Sequence, residues 1–394
     1  MKIVQSAESA RLKMQNKSKI FIIAGEVSGD VLGARIMSEM PDAEFYGIGG
    51  ENMTAAGLRP LFDMSDLSVM GVMEVLAHAR TLTRRIRQTV DEIVRVRPDI
   101  VLTIDSPGFA RSVIKGLRRS AAGRALIDGG LRFHHVVAPQ VWAWRPGRAK
   151  KYARMFDKLY AFFDFEVPYF TKFGLDTVAV GHPIADGIIG KYGRGKKAPD
   201  DKIITLIPGS RMSEVRRLMP LMREVAGIIA RSGYRGYRFA IPTVETTAGY
   251  VATETAKWGV PVELVPSADR YDLYSRTYIA IAASGTVSAE LAMMHVPAII
   301  VYKMNPITTW LVRQVINVKW VSLVNILLKR GVYPEFLGPA ARSDCVMEAF
   351  GQLTIPRVRE KMIADLKSAD KLWCRGDGGA AAMIADGVRG AIGK

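Results

Sequence analysis

The chain has 394 residues, 49% of them hydrophobic and 24% charged, enough for two buried cores and too balanced for a disordered protein. Its two cysteines, Cys345 and Cys374, exclude a disulfide framework and point to a reducing compartment. The net charge of +17 is the oddity: it attracts polyanions, whether nucleic acid, anionic lipid or phosphorylated substrates, without choosing among them.

Residues 1–18 are polar and charged, lack the apolar stretch of a secretory signal, and read as an extension ahead of the first strand. Then Ile20–Ala24, an apolar β-type run, feeds a turn with Gly25, Ser28 and Gly29 into a helix predicted over Val31–Met40. Such a turn aims backbone N–H groups and the positive end of a helix dipole at one point, where phosphate is stabilised. The glycines are four apart, which is neither G-x-G-x-x-G nor a P-loop, so hydride transfer and ATP hydrolysis are disfavoured. Gly33 serves equally well as a plain strand-to-helix packing glycine.

Glu44–Ile48 is the next strand. Leu67–Ala79 is apolar nearly all round, with Glu74 and His78 the exceptions, and reads either as a buried helix or as a patch for acyl chains. A helix is predicted near Leu82–Val96, with Leu82, Ile86, Val90, Ile93 and Val94 on one face. Strand Ile100–Ile104 ends at Asp105. A carboxylate at the carboxyl end of such a strand can take a proton from an attacking hydroxyl, or merely cap the turn that follows.

Strands are predicted at Phe133–Val137, Leu159–Phe163 and Thr177–Val180. Between the first two, residues 141–158 interleave Trp142, Trp144 and Tyr152 with Arg145, Arg148 and other cations. That mixture suits nucleic acid or a membrane interface. The Gly-, Lys- and Asp-rich stretch Ala185–Lys202 breaks the pattern and marks a domain boundary.

The second half repeats the first, with strands at Ile203–Ile207, Arg238–Ile241, Val262–Val265, Ile279–Ala282 and Ala298–Tyr302. The first ends in a Pro-Gly-Ser turn where Ser210 and Arg211 meet a helix. A planar guanidinium there suits a diphosphate. Ala283–Thr286 is a second small-residue turn; Glu290, about one turn into its helix, can accept the hydroxyls of a ribose or simply complement the dipole. The histidines and cysteines show no metal-ligand spacing. Two α/β domains with parallel sheets follow from this alternation, and a two-substrate enzyme is the natural use of two phosphate-holding turns.

In this order, AGEVSGDVLGA, YGIGGENM, VMGVMEVL, IDSPGF, PQVWAWRPGR, VGHPIAD, IPGSR, ASGTVSAELA and VSLVN resemble the lipid-A-disaccharide synthases, from Ile20 to Glu335. The resemblance implies a GT-B fold: two Rossmann-like domains facing across a cleft. The expected division is a domain over 19–185 for the acceptor and membrane side and one over 186–364 for the UDP-sugar. A helical tail over 365–394 can pack on either domain, including back on the N-terminal one. The implied reaction transfers 2,3-diacylglucosamine from UDP to the 6-hydroxyl of 2,3-diacylglucosamine 1-phosphate with inversion, needing no cofactor and no metal.

The resemblance further implies that Ser210, Arg211, Ser284, Gly285, Thr286, Glu290, Lys303 and Asn325 hold the donor. The turn of Gly25, Ser28, Gly29 and Asp30 would face the departing diphosphate, and Asp105 would be the general base. Val69, Met70, Val72 and Met73, with Trp142, Trp144, Arg145 and Arg148, would meet acyl chains or an anionic inner-membrane surface. A homodimer is admitted. Relatives usually carry Asp-Ala-Pro-Asp-Phe-Asn where this chain has Asp105-Ser106-Pro107-Gly108-Phe109-Ala110, and Pro where it has Val324. Competing expectations are another UDP-sugar GT-B enzyme, a UDP-sugar epimerase, and, from a different class, a basic nucleic-acid-binding protein.

Overall fold

The computed structural model describes residues 17–67, 79–192, 202–234, 236–303, 319–376 and 378–392. The chain forms two compact units, Met1–Pro183 with Arg375–Lys394, and Ile184–Cys374. The crossing into the second unit falls at the start of helix Pro183–Tyr192. The glycine- and lysine-rich stretch expected to mark a linker therefore begins inside a helix. Helices Pro356–Ser368 and Asp370–Trp373 stay with the second unit, and the return to the first comes at Arg375.

The first unit holds seven strands: β1 (Lys19–Ala24), β2 (Glu44–Ile48), β3 (Arg59–Pro60), β4 (Ile100–Ile104), β5 (Arg132–Val136), β6 (Lys158–Ala161) and β7 (Asp176–Ala179). They form one parallel sheet in the order β3-β2-β1-β4-β5-β6-β7. The second unit holds β8 (Ile203–Ile207), β9 (Arg238–Thr243), β10 (Val262–Pro266), β11 (Thr277–Ala283), β12 (Ala298–Tyr302) and β13 (Glu335–Leu337). These are parallel in the order β10-β9-β8-β11-β12-β13. Both are doubly wound Rossmann-type sheets whose strand order reverses beside their first strand. β3 and β13 escape sequence reading because edge strands of two and three residues carry no periodicity.

A central parallel strand is buried on both faces and so reads as an unbroken apolar run. In β1, Phe21 and Ile23 join a core with Val90 and Ile93 of helix Ala79–Val96 and Val113 and Leu117 of helix Pro107–Arg119. Ile20, Ile22 and Ala24 join the opposite core, closed by Leu32 and Ile36 of helix Val27–Ser38 and by Ala381, Ile384 and Val388 of the C-terminal helix Gly379–Arg389. That last helix is pinned by Arg389, which donates to the Glu39 carbonyl, and the segment before it by the Arg375–Asp164 ion pair. The N-terminal helix starts at Val27, earlier than its apolar pattern predicts, because Val27 itself lies out of the core at 70% exposure.

β5 carries two buried histidines. His134 Nδ1 sits 3.0 Å from the Tyr160 hydroxyl, and His135 Nδ1 2.6 Å from Thr103 Oγ1, its ring stacked on Phe156. Burial, aided by Lys158 for His134, lowers their pKa values from 6.5 to about 4 and about 3. The unfolded chain thus binds these protons more strongly. Stability is complete above about pH 6.5 and is lost as the pH falls toward 4, by on the order of 3 kcal/mol for each histidine. Urea unfolding at stepped pH is expected to show that acid limb, and His135→Phe to flatten it; an unchanged slope would remove His135 from the account.

Candidate functional site

Ligands of doubly wound sheets gather at the carboxyl ends of the strands, where the order reverses. In the second unit that point lies between β8 and β11. Gly209, Ser210 and Arg211 follow β8, and Ser284, Gly285 and Thr286 follow β11, while Lys303 follows neighbouring β12. Gly209 (φ 106°) and Gly285 (φ 151°) occupy backbone that favours glycine, and a Cβ on Gly209 would stand 2.6 Å from the Glu214 carboxylate.

Arg211 is the N-cap of the long helix Met212–Arg231. Its side chain is 71% exposed and pairs with Glu214 at 3.1 Å, a contact weak enough for an incoming anion to displace. Gly285 caps helix Thr286–Met293. The first turns of both helices point N–H groups toward the crevice.

Glu290 is buried at 7% exposure and is already engaged. Arg270 Nε donates to its Oε2 at 3.3 Å and Arg270 Nη2 to Oε1 at 3.2 Å, and the Tyr271 hydroxyl donates to Oε1 at 2.9 Å. Oε1 accepts two of these bonds and Oε2 one, which leaves Oε2 the less occupied oxygen. Arg270 and Tyr271 were invisible to sequence reasoning; the only signal was that a buried carboxylate needs a cation.

Asn325 does not line a surface. It is fully buried, its Oδ1 accepts from Val332 and Tyr333 N–H groups, and its Nδ2 donates to Tyr333 O and Glu335 Oε1. Glu335 also accepts from Val321 N, Ser322 N and Ser322 Oγ. The pair fastens the chain around β13, which is a supporting role.

In the first unit the reversal lies between β1 and β4. Gly25 follows β1 and Asp105 follows β4, and the two turns touch: a Cβ on Gly25 would meet Ser106 Oγ at 2.0 Å, with Leu67 Cβ 3.7 Å away. Gly25 thus lets the two turns close on each other. Asp105 (φ 52°) and Ser106 (φ 47°) are both left-handed, as are Val137 (φ 81°) and Arg145 (φ 52°) in the loop after β5. Left-handed backbone at four non-glycine residues, one β-branched, is strain held in place by its surroundings, and such strain gathers at functional sites. The Asp105 carboxylate is half-buried; its Oδ1 accepts from Ser106 N at 2.9 Å, and among the described residues Oδ2 makes no hydrogen bond or ion pair.

Asp30 departs from expectation. It is 2% exposed and accepts from Gly50 N, Asn52 N, Asn52 Nδ2 and Met53 N at 2.7–3.1 Å. Burial pushes this carboxyl up, but the bonds from the Asn52 side chain and from the N–H groups of Met53, Asn52 and Gly50 outweigh it and hold the pKa below the usual value. With its acceptors used, Asp30 secures the Gly49–Met53 turn instead of facing a ligand. Asp30→Ala strands three N–H groups and is expected to cost about 2–4 kcal/mol of stability, with UDP affinity of the folded fraction unchanged. Denaturant melts beside UDP titration check this.

Gly29 packs under Ala24 and Ile104 and Gly33 against Met53, both as helix-packing glycines; Ser28 is exposed. A Cβ on Gly108 would meet nothing within 4 Å, so the carboxylate common there in relatives has room. Ala110 is a core residue. A cavity of about 950 Å³ opens between the start of helix Val27–Ser38 and residues 49–65, its lining mixing Val27, Pro60, Phe62 and Met64 with Asp30 and Asn52.

The 141–148 segment splits in two. Trp144, 41% exposed, lies between Arg145 at 4.3 Å and Arg148 at 5.2 Å. Trp142 is half-buried and stands edge-on to Phe165. Val69, Met70, Val72 and Met73 lie outside the described residues, as do residues 1–16 of the extension. Among the described residues no helix is long and apolar enough to cross a membrane, and no group of His, Cys, Asp or Glu could hold a metal.

A sequence model of the lipid-A-disaccharide synthetase family matches residues 20–362. The lipid-A-disaccharide synthase of Rhodospirillum centenum is 40% identical over 388 residues, 95% of each chain. That of Geobacter sulfurreducens is 34% identical over 390 residues, covering 95% of this chain and 98% of its own. Among solved structures, the S. aureus MnaA–UDP co-structure superposes with a TM-score of 0.62 at 14% identity, covering 94% of this chain and 96% of that one. The calicheamicin glycosyltransferase CalG4 gives 0.58 at 13% identity, covering 96% and 99%. Those two likenesses show the fold alone: two Rossmann-like domains, as in GT-B glycosyltransferases. The relatives settle the rest: the chain belongs to the lipid-A-disaccharide synthase family of glycosyltransferases.

Proposed function

We propose that the two switch points divide the labour of the family reaction. The second unit holds UDP-2,3-diacylglucosamine, with Arg211 and the Ser284–Thr286 turn on the diphosphate, Glu290 on one ribose hydroxyl, and Ser210 and Lys303 beside them. The first unit holds 2,3-diacylglucosamine 1-phosphate with its 6-hydroxyl at Asp105. The hydroxyl oxygen attacks the anomeric carbon from the face opposite the diphosphate. As the new C–O bond forms, the bond to the phosphate oxygen breaks, and the hydroxyl proton passes to Asp105 Oδ2. Arg211 and the two helix N-termini offset the charge gathering on UDP.

One observation carries this reading: the motif residues close on the reversal point of each sheet, Gly25 with Asp105 and Ser106 in one unit, Arg211 with Ser284–Thr286 in the other. The apolar part of the cavity beside helix Val27–Ser38, with Val27, Pro60, Phe62 and Met64, supports a place for acyl chains. Trp144 between two arginines and the charge of +17 support attachment to an anionic inner-membrane surface. Incubation with both substrates and mass analysis is expected to yield a tetra-acyl disaccharide 1-phosphate and UDP. Epimerised or hydrolysed donor in its place would overturn the reading. Flotation with anionic but not neutral vesicles tests the surface.

A further inference from the structure

Glu166 is a buried carboxylate, 5% exposed, that no step above uses. It closes the short turn Asp164–Glu166 after β6, and its Oε2 accepts from Phe162 N at 3.2 Å and Phe163 N at 3.1 Å. Had it only those partners, it would be a local turn staple. Its other oxygen reaches across to a different loop: Trp142 Nε1 donates to Oε1 at 3.4 Å. The Trp142 ring stands edge-on to Phe165 at 5.4 Å, and Phe165 stacks on Phe163 at 5.7 Å. A carboxylate and an aromatic layer together join the loop after β5 to the turn after β6. That loop contains left-handed Val137 and Arg145, so its shape is not one the backbone would hold unaided.

We propose that Glu166 is a positioning residue for acceptor binding: its carboxylate clamps the loop after β5 through Trp142 and thereby fixes Trp144, Arg145 and Arg148 at the carboxyl edge of the sheet. The inference rests on the assignment of this loop to the acceptor side. The chemistry demands an ionised acid at 166. A carboxylate accepts at both oxygens, whereas an amide accepts at one end and donates at the other. Gln at 166 must therefore confront either the indole N–H or the two backbone N–H groups with a donor. Burial raises the Glu166 pKa to about 7 against the three bonds that favour its charged form, so the ionised clamp is complete only above neutral pH and weakens as the acid is protonated below it.

The test uses Glu166→Gln, Trp142→Phe and the double variant in the full chain. Each single change is expected to raise the acceptor KM by ~10-fold, with kcat and UDP affinity little altered, and the double variant to be no worse than either single. Limited trypsin digestion gives an activity-free readout, since the Arg148–Ala149 bond lies in the first turn of helix Arg148–Ala153, which the clamped loop leads into and which must fray before it is cut: cleavage there is expected to accelerate in both single variants. Faster cleavage with unchanged acceptor KM would overturn the acceptor assignment while leaving the clamp. Unchanged cleavage, or penalties that multiply in the double variant, would overturn the clamp itself. Parallel loss of UDP affinity would reduce Glu166 to a general stabiliser and also overturn the proposal.

Discussion

Asp105→Asn is expected to lower kcat by ~10²- to 10⁴-fold, the range for removal of a positioned general base, while UDP binds as before. The substitution suits the site. Oδ1 accepts from Ser106 N at 2.9 Å, and an amide oxygen can keep that bond, so the strained turn is retained. What is lost is Oδ2, the acceptor without a partner among the described residues. The amide that replaces it can only donate, and the attacking hydroxyl keeps its proton. Calorimetric UDP titration alongside steady-state kinetics separates the outcomes. Weaker UDP binding with normal turnover would place Asp105 on the donor side; full turnover would remove it from proton transfer. Asp105→Ala, which also abandons the Ser106 bond, is expected to add a loss of stability that the Asn variant lacks.

The sheets were legible because central parallel strands announce themselves as apolar runs: β1, β4, β8, β11 and β12 differ from their predicted limits by no more than two residues at either end. The turns that follow them were legible for the same reason, since Gly209, Gly285 and Gly25 stand where strand must give way to helix. What the sequence could not supply was the direction of each polar side chain. Asp30 and Asn325 sit in motifs, and motif membership says nothing about whether an amide or carboxylate points at a ligand or at its own backbone. Both point at backbone, with four bonds each to nearby groups. Glu290 shows the intermediate case, a carboxylate whose cation, Arg270, lies in a segment with no signature of its own. Likewise Trp142 and Trp144 look equivalent in PQVWAWRPGR, yet one is half-buried against Phe165 and the other an exposed ring beside two guanidinium groups.

Arg211→Ala is the second large effect expected: kcat/KM for the donor falls by ~10²-fold, divided between weaker ground-state binding and slower departure of UDP. A charge-assisted hydrogen bond to an anion contributes about 1.5–3 kcal/mol, and an electrostatic contact that strengthens as charge develops contributes to kcat as well as to KM. The geometry favours a loss in both. Arg211 leaves the cap of helix Met212–Arg231 with its side chain 71% exposed, held only by the exposed pairing with Glu214, so little stability is at stake in its removal. Arg211→Lys discriminates further. It keeps the charge but replaces a planar fork by a point donor, so donor KM is expected to recover more than kcat if two phosphate oxygens are bridged in the transition state. Equal recovery of both would indicate that the charge alone matters there. Unchanged kinetics in Arg211→Ala would remove this residue from the donor site and leave the helix N-termini and the Ser284–Thr286 turn as the phosphate-holding elements.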